Sequence, residues 1–386
     1  MGFIEEHAGD DLERLLLSAS KYPGMDVPFA VEQIAARRQI RDKLPSWYNN
    51  PGLVFPSKIA AEQCSSELTA RYKQRLISET DHVCDLTGGL GIDSFFLSQK
   101  AQQVTYIERF PSYCKAARHN FASLGANNIE VVEGDARQLL SKMRNGTLFY
   151  VDPARRGEGN KRVFALKDCE PDLIELLPLL WKYAPKVIAK ISPMADISQT
   201  LALLPCTTAI HVLSVKNDCK ELLFVLERDA AIVSPPVHCI HFTAEGEESF
   251  TFNLQEEKET VALPAPQVEA YLYEPNASIL KAGAFKSITR LGVSKLNVNS
   301  HCYTSNNLLI NFPGRRFIVD EVLPFSSKLC KTIHKTIPQA NITTRNFPLN
   351  VKELRQRTKI AEGGDIYLFA TTLANNEKVL IKVLKN

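Results

Sequence analysis

Four carboxylates recur where short apolar runs end. Asp85 closes HVCD, Glu108 closes QVTYIE, Asp135 follows IEVVEG, and Asp152 follows TLFYV. Between the first two lies TGGLG, whose Gly88, Gly89 and Gly91 let backbone come close to a bound molecule. Carboxylates in this order can attract a cation, accept from a pair of hydroxyls, accept from an amino group, and orient or deprotonate an acceptor. Arg155 and Arg156 follow Asp152 almost directly, and Lys190 closes the run KVIAK.

These groups need a scaffold, and the pattern around them supplies one. HVCDLT, QVTYIER, IEVVEGD, TLFYVDP and KVIAKIS read as strands. DSFFLSQK, PSYCKAARHNFASLG, ARQLLSKM and DLIELLPLLWKYA fall between them and read as helices. TAIHVLSV and ELLFVLE, separated by KNDCK, read as an antiparallel hairpin. The expected fold class is α/β: a doubly wound, mostly parallel Rossmann-like sheet with a terminal antiparallel hairpin. In such a sheet ligands bind beyond the carboxyl ends of the strands, where the four carboxylates stand.

Three ligands take a glycine-rich turn at such a place. A nucleoside triphosphate needs Gly-Lys-Ser/Thr after the turn, which is missing. A dinucleotide would use Gly89-Leu90-Gly91 but meets Ser94 where a third Gly or Ala belongs, and it gives Asp85 no role. S-adenosylmethionine employs the first three carboxylates together. Asp85 suits its ammonium group, Glu108 its ribose hydroxyls, and Asp135 its adenine amino group. Read structurally instead, each strand-end aspartate caps a helix.

Residues 82–230 resemble class I S-adenosylmethionine-dependent methyltransferases, through DLTGGLGID, YIER, EGDA and DPAR in family order. With SSELTARYK upstream and the C-terminal unit, the whole chain resembles bacterial members that carry a THUMP-like domain. The resemblance implies S-adenosylmethionine as cofactor, held by Asp85, Thr87, Gly88, Gly89, Gly91, Asp93, Glu108, Arg109, Asp135 and Ala136. It implies methyl transfer at Asp152, Pro153 and Arg155. Ala154 and Arg155 replace the second proline and the aromatic of Asp/Asn-Pro-Pro-aromatic enzymes, so base stacking there has no residue. DPAR is closer to the Asp-Pro-Pro-Arg of several RNA methyltransferases. No cysteine near DPARR offers a nucleophile for attack on a pyrimidine ring.

The acceptor is expected to be RNA, either tRNA or rRNA. From Lys281 to Asn386 there are 17 Lys and Arg against 6 Asp and Glu, whereas the rest of the chain carries an acidic excess. SKLCKTIHKTI spaces Lys328, Lys331 and Lys335 along one helical face, suited to a phosphate backbone. Arg156 and Lys190 are further substrate contacts. The structural alternatives are a solvated basic face, surface pairing of Arg155 and Arg156 with Glu158, and a snorkelling or ion-paired Lys190. A small-molecule or protein acceptor, or a non-catalytic S-adenosylmethionine- and RNA-binding module, stays open.

Four regions are expected: a helical stretch over 1–80, the cofactor domain over 81–232, a connecting hairpin and helix region over 233–314, and a smaller basic α+β domain over 315–386. DDLERLLLSASKY, FAVEQIAARRQIRDKL and SKIAAEQCSSELTARYKQRLI read as helices. ASILKAGAFKSITRL reads as a basic amphipathic helix. The N-terminus lacks a secretory pattern, and Glu6 stands where myristoylation wants Ser or Thr. No apolar run reaches bilayer length, so a cytoplasmic protein is expected. Nine cysteines without CxxC spacing read as reduced thiols, with no metal site expected.

Overall fold

The computed structural model describes residues 2–140, 148–155 and 169–385. The chain divides into two compact units, Met1–Thr208 with Leu223–Ile232, and Ala209–Leu222 with Val233–Asn386. The first opens with helices α1 Gly2–Glu6, α2 Leu12–Leu17, α3 Val27–Ile40, α4 Pro45–Tyr48, α5 Lys58–Gln63 and α6 Glu67–Lys73. Asp11 caps α2 through the Glu13 and Arg14 N–H groups, and Asp26 caps α3 through Phe29. The single helix expected over SKIAAEQCSSELTARYKQRLI is two. Ser66 takes the Thr69 N–H as a new cap, which ends one helix and starts the next.

Strands and helices then alternate as expected: β1 His82–Asp85, α7 Ile92–Ser98, β2 Gln103–Glu108, α8 Pro111–Ser123, β3 Ile129–Glu133, α9 Ala136–Leu139 and β4 Leu148–Val151. The helix expected over ARQLLSKM is described only to Leu140. A short ribbon of β5 Ala154–Arg155 and β6 Cys169–Glu170 leads to α10 Leu173–Leu180, β7 Lys186–Ile191, α11 Ile197–Leu203, β8 Thr207–Val215 and β9 Asp218–Glu227. In the first unit the strands lie in the order β9-β7-β4-β1-β2-β3. The pairs β7/β4, β4/β1, β1/β2 and β2/β3 are parallel. β4 is buried along its whole length, as a central parallel strand covered on both faces must be. The β8–β9 connection is tighter than KNDCK suggested. Lys216 and Asn217 both adopt positive φ, the type I′ geometry that closes a two-residue hairpin.

The core of this unit runs beneath the glycine-rich turn. Cys114, Ala117 and Phe121 present one face of α8 to Tyr106, Ile92 and Phe96. Trp47, Leu53 and Phe55 from the helical region join the same cluster. Burying each large side chain there contributes about 1.5–3 kcal/mol.

In the second unit β10 Pro236–Phe242 pairs parallel with β8 and antiparallel with β11 Glu247–Asn253. After α12 Leu254–Glu259 come β12 Tyr271–Pro275, α13 Ala277–Ala282, β13 Ser294–Lys295, β14 Tyr303–Ser305, β15 Gly314–Pro324, α14 Ser327–Thr332, β16 Asn341–Arg345, α15 Val351–Thr358, β17 Ile366–Thr372 and β18 Lys378–Lys385. Seven of these strands form one sheet, ordered β13-β14-β12-β15-β18-β17-β16, which draws from both sides of residue 314. The helix expected over ASILKAGAFKSITRL is broken. Gly283 takes a left-handed conformation at φ 77° and ends α13, and a short 3-10 turn follows at Ser287–Leu291. Glu257 of α12 fastens that break, accepting from the N–H groups of Phe285, Lys286 and Ser287.

Candidate functional site

The order β4-β1-β2-β3 sets four carboxyl ends side by side. They carry Asp152, the glycine-rich turn, Glu108 and the Gly134-Asp135 pair. The turn is built from below. Tyr106 of β2 donates its hydroxyl to the Gly89 carbonyl at 2.6 Å, and its ring lies so close to Gly88 that an added Cβ would stand 2.3 Å away. Gly91, at φ 85°, starts α7, and a Cβ there would meet the Phe121 ring at 2.7 Å. Gly88 and Gly91 are thus required by the packing beneath them, and the turn crosses Tyr106 on glycine backbone.

Asp85 is fully enclosed under this turn. Its Oδ1 accepts from the Thr87 N–H at 3.0 Å, and its Oδ2 accepts from the Ser94 hydroxyl at 2.6 Å. Ser94, the residue that departs from the dinucleotide pattern, is here the partner of that carboxylate. Burial pushes the Asp85 carboxyl up to about 7, against the pull of the Ser94 and Thr87 hydrogen bonds, with the Asp93 and Asp152 charges adding to the rise. The Thr87 hydroxyl accepts from the Asp152 N–H at 2.7 Å, so the turn and the end of β4 are tied together.

Glu108 is half-buried and grips two backbone N–H groups, Gly89 at 2.9 Å and Phe110 at 2.9 Å. Each oxygen keeps acceptor capacity for a further donor. Arg109 reaches Glu170 at 2.7 Å and lies 4.9 Å from the centroid of the exposed Phe110 ring. Asp135 is exposed and caps α9 through the Arg137 N–H at 2.8 Å, with Ala136 the first residue of that helix. Asp152 is partly exposed and forms an ion pair with Lys190 of β7. Pro153 follows it, half-buried, and Arg155 pairs across the ribbon with Cys169. Arg156, and with it the suggested pairing to Glu158, lies outside the described residues.

Asp93 turns away from the turn and into the protein. Its Oδ1 accepts from Lys73 Nζ at 2.8 Å, and its Oδ2 accepts from the Ser65 and Tyr150 hydroxyls at 2.7 and 2.8 Å. Burial raises the Asp93 carboxyl, yet the Lys73 and Lys190 charges with the Lys73 and Ser65 hydrogen bonds hold it below its ordinary value. Lys73, Ser65, Ser94, Tyr106 and Tyr150 are the residues that motif reading missed. SSELTARYK contains two of them, but nothing in its spacing points to Asp93, 20 residues beyond Lys73. Lys328, Lys331 and Lys335 are exposed in the second unit, with Ile333 and Ile337 buried. The helix expected over SKLCKTIHKTI ends at Thr332; Lys335 lies in a 3-10 turn over Ile333–Lys335, and Ile337 follows it.

The chain as a whole has a near relative among solved structures. A crystal structure from Porphyromonas gingivalis W83, provisionally described as a methyltransferase, is 40% identical, with a TM-score of 0.90 over 99% of this chain and 96% of that one. The chain belongs to the class I S-adenosylmethionine-dependent methyltransferases with a THUMP-like C-terminal domain. Family models match a ferredoxin-like domain over residues 271–313 and a THUMP domain-like region over 314–383. Among curated proteins, an uncharacterized RNA methyltransferase from Oceanobacillus iheyensis is 32% identical over 105 residues, 26% of this chain and 20% of that protein. A protein-L-isoaspartate O-methyltransferase from Methanoregula boonei is 40% identical over 55 residues, 14% of this chain and 25% of its own length. The chain thus spans a quarter or less of these two curated relatives. Among the described residues no helix is long and apolar enough to cross a membrane, and no group of His, Cys, Asp and Glu could hold a metal ion.

Proposed function

We propose that this methyltransferase holds S-adenosylmethionine along the carboxyl ends of β4, β1, β2 and β3 and transfers its methyl group to RNA. The observation that carries the cofactor reading is the glycine-rich turn over Tyr106, with the Gly89 N–H fixed by Glu108. That carboxylate has acceptor capacity left for ribose hydroxyls. Asp135 and Ala136 at the start of α9 are the candidates for the adenine end. Asp85, whose oxygens already serve Thr87 and Ser94, contributes by shaping the turn and by drawing the ammonium group through its charge. Bound there, the cofactor supplies an electrophilic methyl group on a sulfonium centre.

The chain's own residues then have to orient an acceptor and exclude competing geometry. Asp152 is placed to do so, held from one side by Thr87 and from the other by Lys190. It accepts a hydrogen bond from the acceptor or takes its proton. Pro153 fixes the backbone beside it, and Arg155 and Arg156 are the nearest groups in sequence for a phosphate. RNA as acceptor is supported by the basic C-terminal unit, by its THUMP-like match and by the RNA methyltransferase relative. Lys328, Lys331 and Lys335 would position such a substrate through its phosphates without reading its sequence.

The test incubates the purified protein with radiolabelled S-adenosylmethionine and total RNA from a strain lacking the gene. Label in one RNA size class, lost in Asp152→Asn while calorimetry shows unchanged cofactor affinity, is the expected result. Cofactor binding without label in RNA would move the acceptor to protein or a small molecule. No cofactor binding would end the reading.

A further inference from the structure

We propose that Lys73 is a positioning residue for the acceptor end of the cleft: by balancing the buried Asp93 carboxylate, it leaves Lys190 to hold Asp152. This rests on the reading of Asp152 as the residue that meets the acceptor. Lys73 lies on α6, wholly buried, with Nζ 2.8 Å from Asp93 Oδ1 and 3.1 Å from Ser65 Oγ. The other Asp93 oxygen takes the hydroxyls of Ser65 and of Tyr150. Tyr150 stands on β4 two residues before Asp152. The β4/β7 register pairs Val151 with Ala189, so the next residues along, Asp152 and Lys190, emerge beside one another.

Lys190 bears on both of these carboxylates. It forms the ion pair with Asp152, and its charge also acts on Asp93. A buried carboxylate left without its cation either takes up a proton or, where it stays charged, attracts a neighbouring cation. With Lys73 in place Asp93 is already balanced, and Lys190 stays at the strand end. Without Lys73, the Lys190 charge, which already acts on Asp93, is drawn toward it, and moving there loosens the hold on Asp152. Tying α6 to α7 would not by itself require charge, since apolar residues commonly replace buried ion pairs without loss of stability. Cys64, at the break between α5 and α6, and Asp85 also lie within reach of these charges, with Lys43 beside Cys64.

The test follows the Lys190 amine directly. Lysines are reductively methylated with 13C-formaldehyde, and the Lys190 signal is assigned by its loss in Lys190→Arg. Asp152→Asn gives the signal of Lys190 without its partner. Lys73→Gln should move the wild-type signal toward that position, and Lys73→Gln/Asp93→Asn should bring it back. In parallel, turnover should fall roughly tenfold or more in Lys73→Gln, with KM for S-adenosylmethionine little changed, and recover in the double variant. A Lys190 signal that does not move in Lys73→Gln, or does not return in the double variant, overturns the proposal. Should Lys73→Gln not fold, Lys73→Arg, which keeps a cation beside Asp93, and the double variant, which has no carboxylate there to balance, carry the comparison; a signal at the Asp152→Asn position in either one refutes it. A wild-type protein that methylates no RNA while these signals behave as expected would refute the acceptor and leave the role of Lys73 standing.

Discussion

At the scale of single residues, the site depends on contacts made below the ligand. Gly88→Ala would place a methyl group inside the Tyr106 ring, so the turn must shift. Overpacking of this kind costs about 1–3 kcal/mol, and cofactor affinity should drop by roughly tenfold or more, read by calorimetry. Tyr106→Phe keeps the ring but removes the hydrogen bond to Gly89, and should cost about 1 kcal/mol of stability. Asp85 gives a prediction in pH. Its carboxyl is raised from an unfolded value of 3.8 to about 7, so its contribution to stability is full below about pH 4 and is lost as pH rises through 7. Asp85→Asn cannot titrate and should gain on the wild type across that window, by up to about 4 kcal/mol in urea unfolding. A difference that stays flat from about pH 4 to 8 would rule out this ionisation. An ammonium group drawn to Asp85 would also bind more tightly as pH rises through the same range.

At the scale of elements, irregular stretches are pinned as firmly as helices. The stretch NNPGLVFP that follows α4 has no helix or strand of its own, yet it is fastened from three sides. Gln33 exchanges two hydrogen bonds with the Phe55 backbone, and Asn120 does the same with Val54. The Arg37 guanidinium collects the carbonyls of Asn50, Pro51 and Leu53. Asn120→Ala leaves two backbone groups without their partner and should lower stability by about 2 kcal/mol, measured by denaturant unfolding. In the second unit Glu274 is buried between Arg315 and Arg345, joining β12, β15 and β16. Glu274→Gln should destabilise that sheet by a similar amount, checked as an earlier transition of the whole chain. The break between α5 and α6 has a comparable logic. A continuous helix would satisfy local propensity, but Ser66 caps a new start, and Ser65 is then placed to reach Asp93.

At the scale of the whole molecule, charge and fold serve separate ends in separate units. The first unit carries the strand-end carboxylates; the second carries the basic excess. If the second unit holds RNA, Lys328, Lys331 and Lys335 replaced by alanine should weaken binding across unrelated sequences. The slope of log affinity against log salt should fall in magnitude by about 2. An unchanged slope would take these lysines out of the interface. The sequence by itself determined the alternation of strands and helices, the β8–β9 hairpin, the glycine-rich turn and the order of the four carboxylates. Each of these is written in short-range periodicity or in residue types within one turn of each other. Tertiary structure alone decided where the carboxylates point. It set Asp85 beneath the turn with Ser94, Asp93 toward Lys73, and Asp152 beside Lys190. Those pairings join residues nine, 20 and 38 positions apart, and a carboxylate's partner is fixed by strand register and burial, which no local pattern encodes.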